Sequence, residues 1–467
     1  MPLPPELSSA LAVAEAVRTK RVSPLEVLDA CLAEVDRTNA RVNAVVWRDD
    51  EAHRAAAREA GEAVVRGDDL GPFHGVPIPV KDLTPVAGWP TTYGSWGAPE
   101  GPSAQDELVV AGLRRAGFVL AGRTNTPEFG PITVAENDRY GATRNPWDLN
   151  RSPGGSSGGA AAAVAAGMFP IAHANDGGGS IRIPASCCGL VGLKPSRGRV
   201  PNSVTAWEGA AVEGAVTWTV ADAAALLDAV AVPDPLSWYN APAPARPWSQ
   251  EVGADPGSLR IGVVEVAPLG MPVDPQCLQA VRDTADRLTA LGHSVEVVTL
   301  DVPDTMLAAF LNMVDSGLAD YPDIDWSRTE PHIRASRAKA QSVDSLVYVS
   351  SVHELQRYSR TSVARWGSEF DVLLTPTLSI LPPPVGLLAE VHAQPDAPHL
   401  TVFAMALFNA FFNVSGQPAV SLPLATSTEG LPIGVQLVGG PWQEDLLVRL
   451  ASQLEQAHPW ADRRPVL

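Results

Sequence analysis

Residues 152–159 read SPGGSSGG and run directly into an alanine-rich segment, residues 160–166. A second glycine-rich stretch, DGGGSIR, occupies residues 176–182. Glycine permits unusual backbone conformations and lets main-chain N–H groups approach a ligand closely. Three glycines that end on Ser180 can form a nest of N–H donors around an oxyanion, with the serine hydroxyl beside it. A pair of tight structural turns is the alternative, but two nearby loops that both present a serine favour a catalytic site.

Two common motifs fit the first loop poorly. Residues 154–158 match the GxSxG nucleophile elbow, which requires a buried strand running directly into the serine turn. The preceding residues 145–151 read NPWDLNR and are not expected to form such a strand. A phosphate-binding P-loop is excluded because no Gly-Lys-Ser/Thr follows the glycines.

A serine nucleophile needs a base, and the best candidate is a lysine. Lys81 follows the apolar run GVPIPV, residues 75–80. Burial at the end of a strand lowers the pKa of a lysine toward a range in which the neutral amine accepts a proton. Taken alone, Lys81 and Asp82 also fit a surface ion pair. His173 is the only histidine near either loop, and we expect it to be structural.

Composition limits the partners and the location. The 467 residues carry a formal net charge of −18, and 45% of them are hydrophobic. Such a negative field repels nucleic acid and anionic membranes, so we expect a neutral or cationic small molecule as the partner. No stretch suits a membrane span or a secretory signal. Four cysteines without CxxC spacing predict reduced thiols and a cytoplasmic protein.

Short apolar runs alternate with helical segments along most of the chain, which predicts an α/β fold with a mixed or largely parallel sheet. We expect one domain, residues 1–467, with N-terminal helices within residues 7–66 packed on it. Proline-rich segments at about 230–257 and 381–398 predict surface loops. The predicted strands are 76–80, 118–121, 261–266, 295–300, 372–374, 419–424 and 433–438, and the predicted helices include 107–116, 160–166, 221–230 and 275–290.

Four segments together resemble the amidase-signature family. They read GVPIPVKD, GGSSGG, GGSIRIPAS and GLVGLKP, at residues 75–82, 154–159, 178–186 and 189–195. The resemblance covers nearly the whole chain and implies a large mixed β-sheet core covered by helices on both faces. It also implies a catalytic triad of Lys81, Ser156 on a cis peptide bond, and Ser180 as the nucleophile.

The same resemblance assigns further residues around the triad. The oxyanion would be bound by backbone N–H groups of Gly177, Gly178, Gly179 and Ser180, and the supporting residues would be Ser157, Asp176, Arg182 and Ile183. The family often has a branched residue at the position of Gly177. We therefore expect the third glycine to widen or loosen this loop.

Within the family, the chain looks most like the 6-aminohexanoate cyclic dimer (nylon oligomer) hydrolases and related broad amidases, including urethanases. This likeness implies a serine hydrolase that cleaves C–N bonds of non-peptide amides, with carbamates and esters as further substrates. It also implies an acyl-enzyme intermediate. The sequence contains no cluster of residues with metal-ligand spacing, so we expect neither a metal ion nor an organic cofactor. We expect a monomer or homodimer.

Several alternatives remain open from the sequence. A glutamine-hydrolysing subunit of a tRNA amidotransferase usually carries a polar Gln where this chain has Ile183, which argues against that function. A catalytically silent binding protein would lose the triad, whose three positions are filled here. An apolar helical stripe at residues 306–313 predicts either a core face or a wall of the substrate pocket.

Overall fold

The computed structural model describes residue 4 and residues 7–321, 323–397 and 399–467. Two sequence predictions fall partly outside these ranges. They are the prediction of no secretory signal at the N-terminus and the last residue of the predicted loop 381–398. The strands are β1 Val45–Trp47, β2 Pro77–Lys81, β3 Val119–Thr124, β4 Ile171–Asp176, β5 Val191–Lys194, β6 Val212–Thr217, β7 Arg260–Val263, β8 Ser294–Val297, β9 Val372–Pro376, β10 Ala419–Thr426 and β11 Pro432–Val438. The helices are α1 Ala10–Arg18, α2 Pro24–Val42, α3 Asp50–Arg66, α4 Leu108–Arg115, α5 Gly158–Ala165, α6 Arg182–Cys188, α7 Val220–Val230, α8 Pro275–Ala290, α9 Asp304–Ser316, α10 Pro331–Ser342, α11 Ser345–Val363, α12 Leu387–Ala393, α13 Leu400–Ala406, α14 Ala410–Val414 and α15 Glu444–Ala457.

The central sheet has eight strands in the order β4-β6-β5-β10-β11-β9-β7-β8. Neighbours are antiparallel from β4 to β9, and only β7 pairs in parallel with β9 and β8. The prediction of a mixed sheet is confirmed, whereas the largely parallel alternative is wrong. Strands β4, β5 and β6 supply much of the antiparallel half, and they were not predicted from the sequence.

Helices cover both faces of this sheet, as the alternation along β11 demonstrates. Val435 and Leu437 point into the main hydrophobic core, to which residues of α8 and α15 also belong. The alternate residues Gly434 and Gln436 face α6, because the Gly434 N–H donates to Ser186 Oγ and Gln436 Oε1 accepts from Arg182 Nη1. One face of the sheet thereby holds the main core and the other holds α6 and the glycine-rich loop before it.

A second sheet of three strands, in the order β1-β3-β2, brings Lys81 to the edge of the central sheet. Strand β2 is buried along its whole length and ends at Lys81. The Lys81 N–H donates to Nδ1 of His173 in β4 at 3.4 Å. Strand β2 and strand β4 are thus neighbours, and their ends meet near the two glycine-rich loops.

Two predicted loop segments are partly correct. Residues 231–247 contain no helix or strand, but α12 lies inside the segment 381–398 that was predicted to be a loop. The prolines of that segment lie at positions 382–384, 395 and 398, on either side of residues 387–393, so these residues are free to form a helix. The single domain spanning residues 1–467 stays a prediction. In the described part of the chain, no helix combines the length and apolarity that crossing a bilayer requires.

Candidate active site

Lys81 is fully buried, and its amine lies within hydrogen-bond distance of three oxygen atoms. The distances from Nζ are 2.7 Å to Ser156 Oγ, 2.9 Å to Ser157 Oγ and 2.6 Å to Asn175 Oδ1. Ser157 Oγ donates its own hydrogen to the Asn175 carbonyl oxygen at 3.1 Å, so it accepts from the lysine. Asn175 Oδ1 can only accept. Two N–H groups of the amine are therefore engaged by Ser157 and Asn175.

The charge state of Lys81 follows from this burial. Desolvation lowers the pKa of Lys81 from 10.5 to about 7, although the carboxylates of Glu213 and Asp176 act in the opposite direction. A neutral amine has two N–H groups and one lone pair. With both N–H groups engaged, the lone pair faces Ser156 Oγ and can accept the proton of that hydroxyl.

Ser156 and Ser180 lie in different loops. Ser156 and Ser157 directly precede α5, and the peptide bond between Gly155 and Ser156 is cis, as the resemblance implies. Residues 145–151 form no strand, so the nucleophile-elbow interpretation of this loop fails. Ser180 instead lies in the loop that joins β4 to α6.

Asp176 anchors the loop that carries Ser180. Its carboxylate accepts hydrogen bonds from the backbone N–H groups of Gly179 at 2.7 Å and Ile181 at 3.2 Å, and from the guanidinium of Arg182 at 2.9 Å. Burial alone would raise the pKa of Asp176, but the Arg182 guanidinium and these hydrogen bonds hold the pKa well below its usual value. Asn413 Nδ2 donates to the same carboxylate at 2.9 Å.

This anchoring changes the expected set of oxyanion donors. The Gly179 N–H points at Asp176 Oδ1, so it is already engaged within the loop. The remaining backbone N–H groups of the predicted set belong to Gly177, Gly178 and Ser180. Gly178 and Ser180 are both partly exposed, and Gly177 and Ser180 line a cavity above the loop.

The third glycine does not leave open space in the loop, contrary to the widening that we expected from the sequence. The indole of Trp207 fills the space beside it, because a Cβ atom at Gly177 would fall 2.4 Å from Trp207 Cζ3. The other edge of the indole lies against Gly317, where a Cβ would fall 2.5 Å from Nε1. Two glycines thus make room for one aromatic ring at the side of the nucleophile loop.

A cavity of about 290 Å³ opens over these residues, and both Ser156 and Ser180 line it. Tyr93, Phe129 and Tyr321 form an aromatic wall, with ring centroids 4.8–5.8 Å apart. The charged groups that line the described cavity are all carboxylates, and they belong to Glu107, Glu213, Asp315 and Asp320. The cavity therefore favours neutral or cationic molecules over anionic ones.

Comparison with known proteins decides the family. The model of the family described as Amidase matches residues 26–448 of the chain. The chain belongs to the amidase family. It is 39% identical to a 6-aminohexanoate-cyclic-dimer hydrolase from Pseudomonas sp. (strain NK87), over 98% of this chain and 96% of that protein.

Solved structures agree with this assignment. The structure of a 6-aminohexanoate cyclic dimer hydrolase complexed with substrate matches with a TM-score of 0.90 and 38% identity, over 98% of both chains. A bacterial aryl acylamidase of the amidase-signature family matches with a TM-score of 0.87 and 25% identity, over 98% of this chain and 99% of that one. The predicted amidase-signature fold and the prediction of an amidase are confirmed.

His173 of the amidase makes its hydrogen bonds away from the two serine loops. Its Nδ1 lies against the Lys81 N–H, and its Nε2 lies 2.8 Å from Glu213 Oε2. In the described part of the chain, no hydrogen bond joins His173 to either Ser156 or Ser180. Both ring nitrogens are thus engaged in linking β2, β4 and β6.

The apolar stripe at 306–313 of the amidase is mainly a core face. Met306 and Met313 are buried in a hydrophobic cluster with residues of α11 and α14. The next turn contributes to the cavity instead, through Val314 and Asp315. Phe310 lies between the core face and the cavity lining, and its ring packs edge-on against Trp207 with centroids 6.5 Å apart.

Two residues near the proposed triad, Asn175 and Trp207, were not predicted as site residues from the sequence. Asn175 was not identified because a lone asparagine inside a strand has no motif of its own, although its position directly before Asp176 was a usable signal. Trp207 is 27 residues beyond Ser180 in the chain and reaches the nucleophile loop only through the fold. Ile183, which was predicted to support the site, packs with its side chain beneath Gly179.

The spacing of potential ligand residues along the sequence predicted no metal site. The fold nevertheless brings together one candidate cluster away from the serines. Glu330, His332 and His392 place one carboxylate oxygen and two imidazole nitrogens within 4.8 Å of one another. Glu330 and His332 lie at the start of α10, and His392 belongs to α12, 60 residues further along the chain. Such a distance in sequence hides the cluster from any motif search.

Proposed function

We propose that this amidase cleaves amide bonds through Ser180 as nucleophile, Ser156 as proton carrier and Lys81 as base. The observation that carries the proposal is the Lys81 amine, fully buried and 2.7 Å from Ser156 Oγ, beneath a cavity lined by Ser180. A depressed amine pKa and a hydroxyl within hydrogen-bond reach are the two requirements of a serine–lysine base.

In the first half of the reaction, Ser180 Oγ attacks the carbonyl carbon of the substrate. The Ser180 proton passes to Ser156 Oγ while the Ser156 proton passes to Lys81 Nζ. The carbonyl oxygen becomes an oxyanion, which accepts hydrogen bonds from the backbone N–H groups of Gly177, Gly178 and Ser180. Asp176 keeps these groups oriented through its hydrogen bonds to the same loop.

The C–N bond then breaks to leave an acyl-enzyme. Ser156 gives its proton to the leaving nitrogen and regains one from Lys81, so the free amine departs and Lys81 is neutral again. Water attacks the acyl carbon in the second half of the reaction and loses a proton by the same route. The acyl–oxygen bond to Ser180 breaks as Ser180 Oγ takes a proton back from Lys81 through Ser156, and the carboxylic acid product leaves the enzyme in its starting state.

The proposed substrates are neutral or cationic non-peptide amides, including acyl amides, aryl amides and oligoamides. The aromatic wall offers apolar contact to aryl or alkyl groups, and the carboxylates of the cavity disfavour anionic ones. The likeness to a 6-aminohexanoate cyclic dimer hydrolase and to an aryl acylamidase supports this range. Carbamates and esters, whose carbonyl carbon can be attacked in the same way, are included in the proposal.

The assignment of the nucleophile is tested by active-site labelling. A fluorophosphonate should modify Ser180 in the wild type, and Ser180→Ala should lose both labelling and amide turnover while keeping its fold. Ser203→Ala is the matched control, because Ser203 lines the same cavity outside the triad. Mass spectrometry that locates the adduct on Ser156 would overturn the assignment.

The substrate class is tested with one enzyme preparation on aryl amides, aliphatic amides, linear and cyclic oligoamides, carbamates, esters and glutamine. Matched amides with neutral, cationic and anionic tails test the role of the cavity carboxylates. A glutamine preference that appears only with added partner proteins would favour the amidotransferase alternative. The absence of both turnover and labelling would favour a silent binding protein.

The location and the oligomeric state are also proposals. The four cysteines are buried and unpaired, which is typical of proteins that work in a reducing compartment, and we propose a cytoplasmic enzyme. Size-exclusion chromatography with light scattering separates the proposed monomer from the proposed homodimer.

A further inference from the structure

We propose that Glu330, His332 and His392 bind a divalent transition-metal ion of the zinc type, which fastens α10 to α12 behind the wall of the catalytic cavity. Two imidazoles and one carboxylate are a common ligand set for such ions. The site is separate from the serine chemistry proposed above, and no step of amide hydrolysis passes through it.

The distances between the ligand atoms suit a single ion. Glu330 Oε2 lies 3.3 Å from His392 Nε2 and 3.5 Å from His332 Nδ1. Ligands about 2.0–2.1 Å from a tetrahedral zinc ion are separated from one another by roughly 3.3–3.4 Å. The observed separations match that value for the two pairs that involve the carboxylate.

His332 supplies an independent indication of a ligand. Its side chain is about 95% buried, at 5% relative exposure, yet neither Nδ1 nor Nε2 has a hydrogen-bond partner among the described residues. A buried polar group without a partner is uncommon in folded proteins and calls for an unseen ligand or water. A metal ion bound through Nδ1 would satisfy the atom that faces Glu330.

Glu330 is held in an orientation that leaves one oxygen for a cation. Its Oε1 accepts the backbone N–H of Asp138 at 2.7 Å, and its own N–H donates to Glu128 Oε2 at 2.7 Å. Its Oε2 is turned toward the two histidines, which are the only ion-pair partners of Glu330 in the described part of the chain. Asp138 Oδ1 also lies 4.0 Å from His392 Nδ1, so a second carboxylate is near this imidazole without a direct hydrogen bond.

The position of the site gives the ion a structural effect. Helix α10 also carries Ile333 and Ser336, which line the catalytic cavity. An ion shared by the first turn of α10 and the end of α12 would hold this wall in place. We therefore expect the ion to raise thermal stability while leaving the reactivity of Ser180 unchanged.

The test uses the purified full-length enzyme, stripped with a chelator and then titrated with Zn²⁺ or Co²⁺. We expect one equivalent to bind, the Tm to rise, and Co²⁺ to give the visible absorption of a tetrahedral site. His392→Gln should abolish the Tm rise and the Co²⁺ spectrum, and His353→Gln, an exposed histidine of α11, should preserve both.

Two measurements keep the proposal falsifiable if a variant folds poorly. Competition with a chromophoric chelator measures Zn²⁺ binding by the wild type, so it needs no mutation. The second measurement uses Glu330→Gln, which removes the carboxylate ligand but retains the size of the side chain. Wild-type protein that binds no stoichiometric Zn²⁺, or binds it equally well in His392→Gln, would overturn the proposal. Fluorophosphonate labelling of the stripped enzyme reports separately on Ser180, so a failure of the metal site is distinguishable from a failure of the serine mechanism.

Discussion

Asn175 Oδ1 lies 2.6 Å from Lys81 Nζ, and this contact orients the amine that we propose as the catalytic base. Together with Ser157 Oγ, the amide oxygen occupies the N–H groups of the neutral amine. The lone pair is left toward Ser156, which is the direction that proton transfer requires. Asn175 is neutral itself, so it directs the amine without favouring its protonated form as a carboxylate would.

The pH dependence of activity should report the pKa of Lys81. The base works only when it is neutral, so kcat/KM should rise with pH through about 7 and reach a plateau on the alkaline side. Lys81→Met keeps the side-chain bulk without the amine and should lower amide turnover by about 10²–10⁴-fold, as loss of a general base does. A wild-type profile that falls as pH increases from 6 to 8 would contradict this assignment.

Lys81 should also affect the pH dependence of stability. Its pKa is 10.5 when exposed and about 7 in the folded protein, so the unfolded chain binds more protons between these values. The free energy of unfolding should therefore rise with pH across that window in the wild type. Urea denaturation of wild type and Lys81→Met at several pH values measures the difference, and the variant should lose this part of the slope.

Asn175→Asp should shift the activity profile to higher pH. A carboxylate beside the amine favours protonated Lys81, and an opposite charge at this distance changes a pKa by about 1–3 units. Activity should fall at pH 7 and recover partly in alkaline buffer. Asn202→Asp adds the same charge elsewhere on the cavity lining and should leave the apparent pKa closer to that of the wild type. Equal shifts in the two variants would show that Asn175 has no special relation to Lys81.

Gly177 and Trp207 should be energetically coupled. Gly177→Ala places a Cβ 2.4 Å from the indole, and overpacking of this kind costs about 1–3 kcal/mol of stability. Trp207→Ala should relieve that cost in the double variant, and alone it should improve kcat/KM for bulkier acyl groups. Thermal unfolding and anilide kinetics on the four proteins give the coupling energy. Additive effects of the two substitutions would argue against the contact.

Gly178→Ala provides the matched control for stability. A Cβ at this neighbouring position would meet Phe310 only at 3.7 Å, an ordinary contact distance. We expect its Tm to change less than that of Gly177→Ala, and we expect no rescue by Trp207→Ala.

Replacement of His173 separates the lysine mechanism from histidine-based ones. His173→Gln removes a buried link to Glu213 and should lower stability and activity modestly. Lys81→Ala should cost far more activity on amides and less on esters, because an ester's leaving group needs less protonation. The reverse order, with His173→Gln inactive and Lys81→Ala active, would disprove the role of Lys81.

Local sequence determined the parts of the site that the chain carries as contiguous motifs. The glycines around Ser156 and Ser180 predicted loops that each present a serine, and the run before Lys81 predicted a buried strand that ends in a lysine. The structure has both features, with β2 ending at Lys81 and Ser180 following β4. These features follow from short-range steric and hydrophobic patterns, which the residues themselves encode.

The groups that contact those motifs come from distant parts of the chain and could be identified only in the folded protein. Asn175 and Ser157 reach the Lys81 amine because β4 and α5 converge on β2, and Trp207 fills the space beside Gly177 from a turn beyond β5. Glu330 and His332 meet His392 in the same way, through helices that are far apart in the chain. Each of these contacts depends on packing between distant segments, so no local pattern of residue types could specify it.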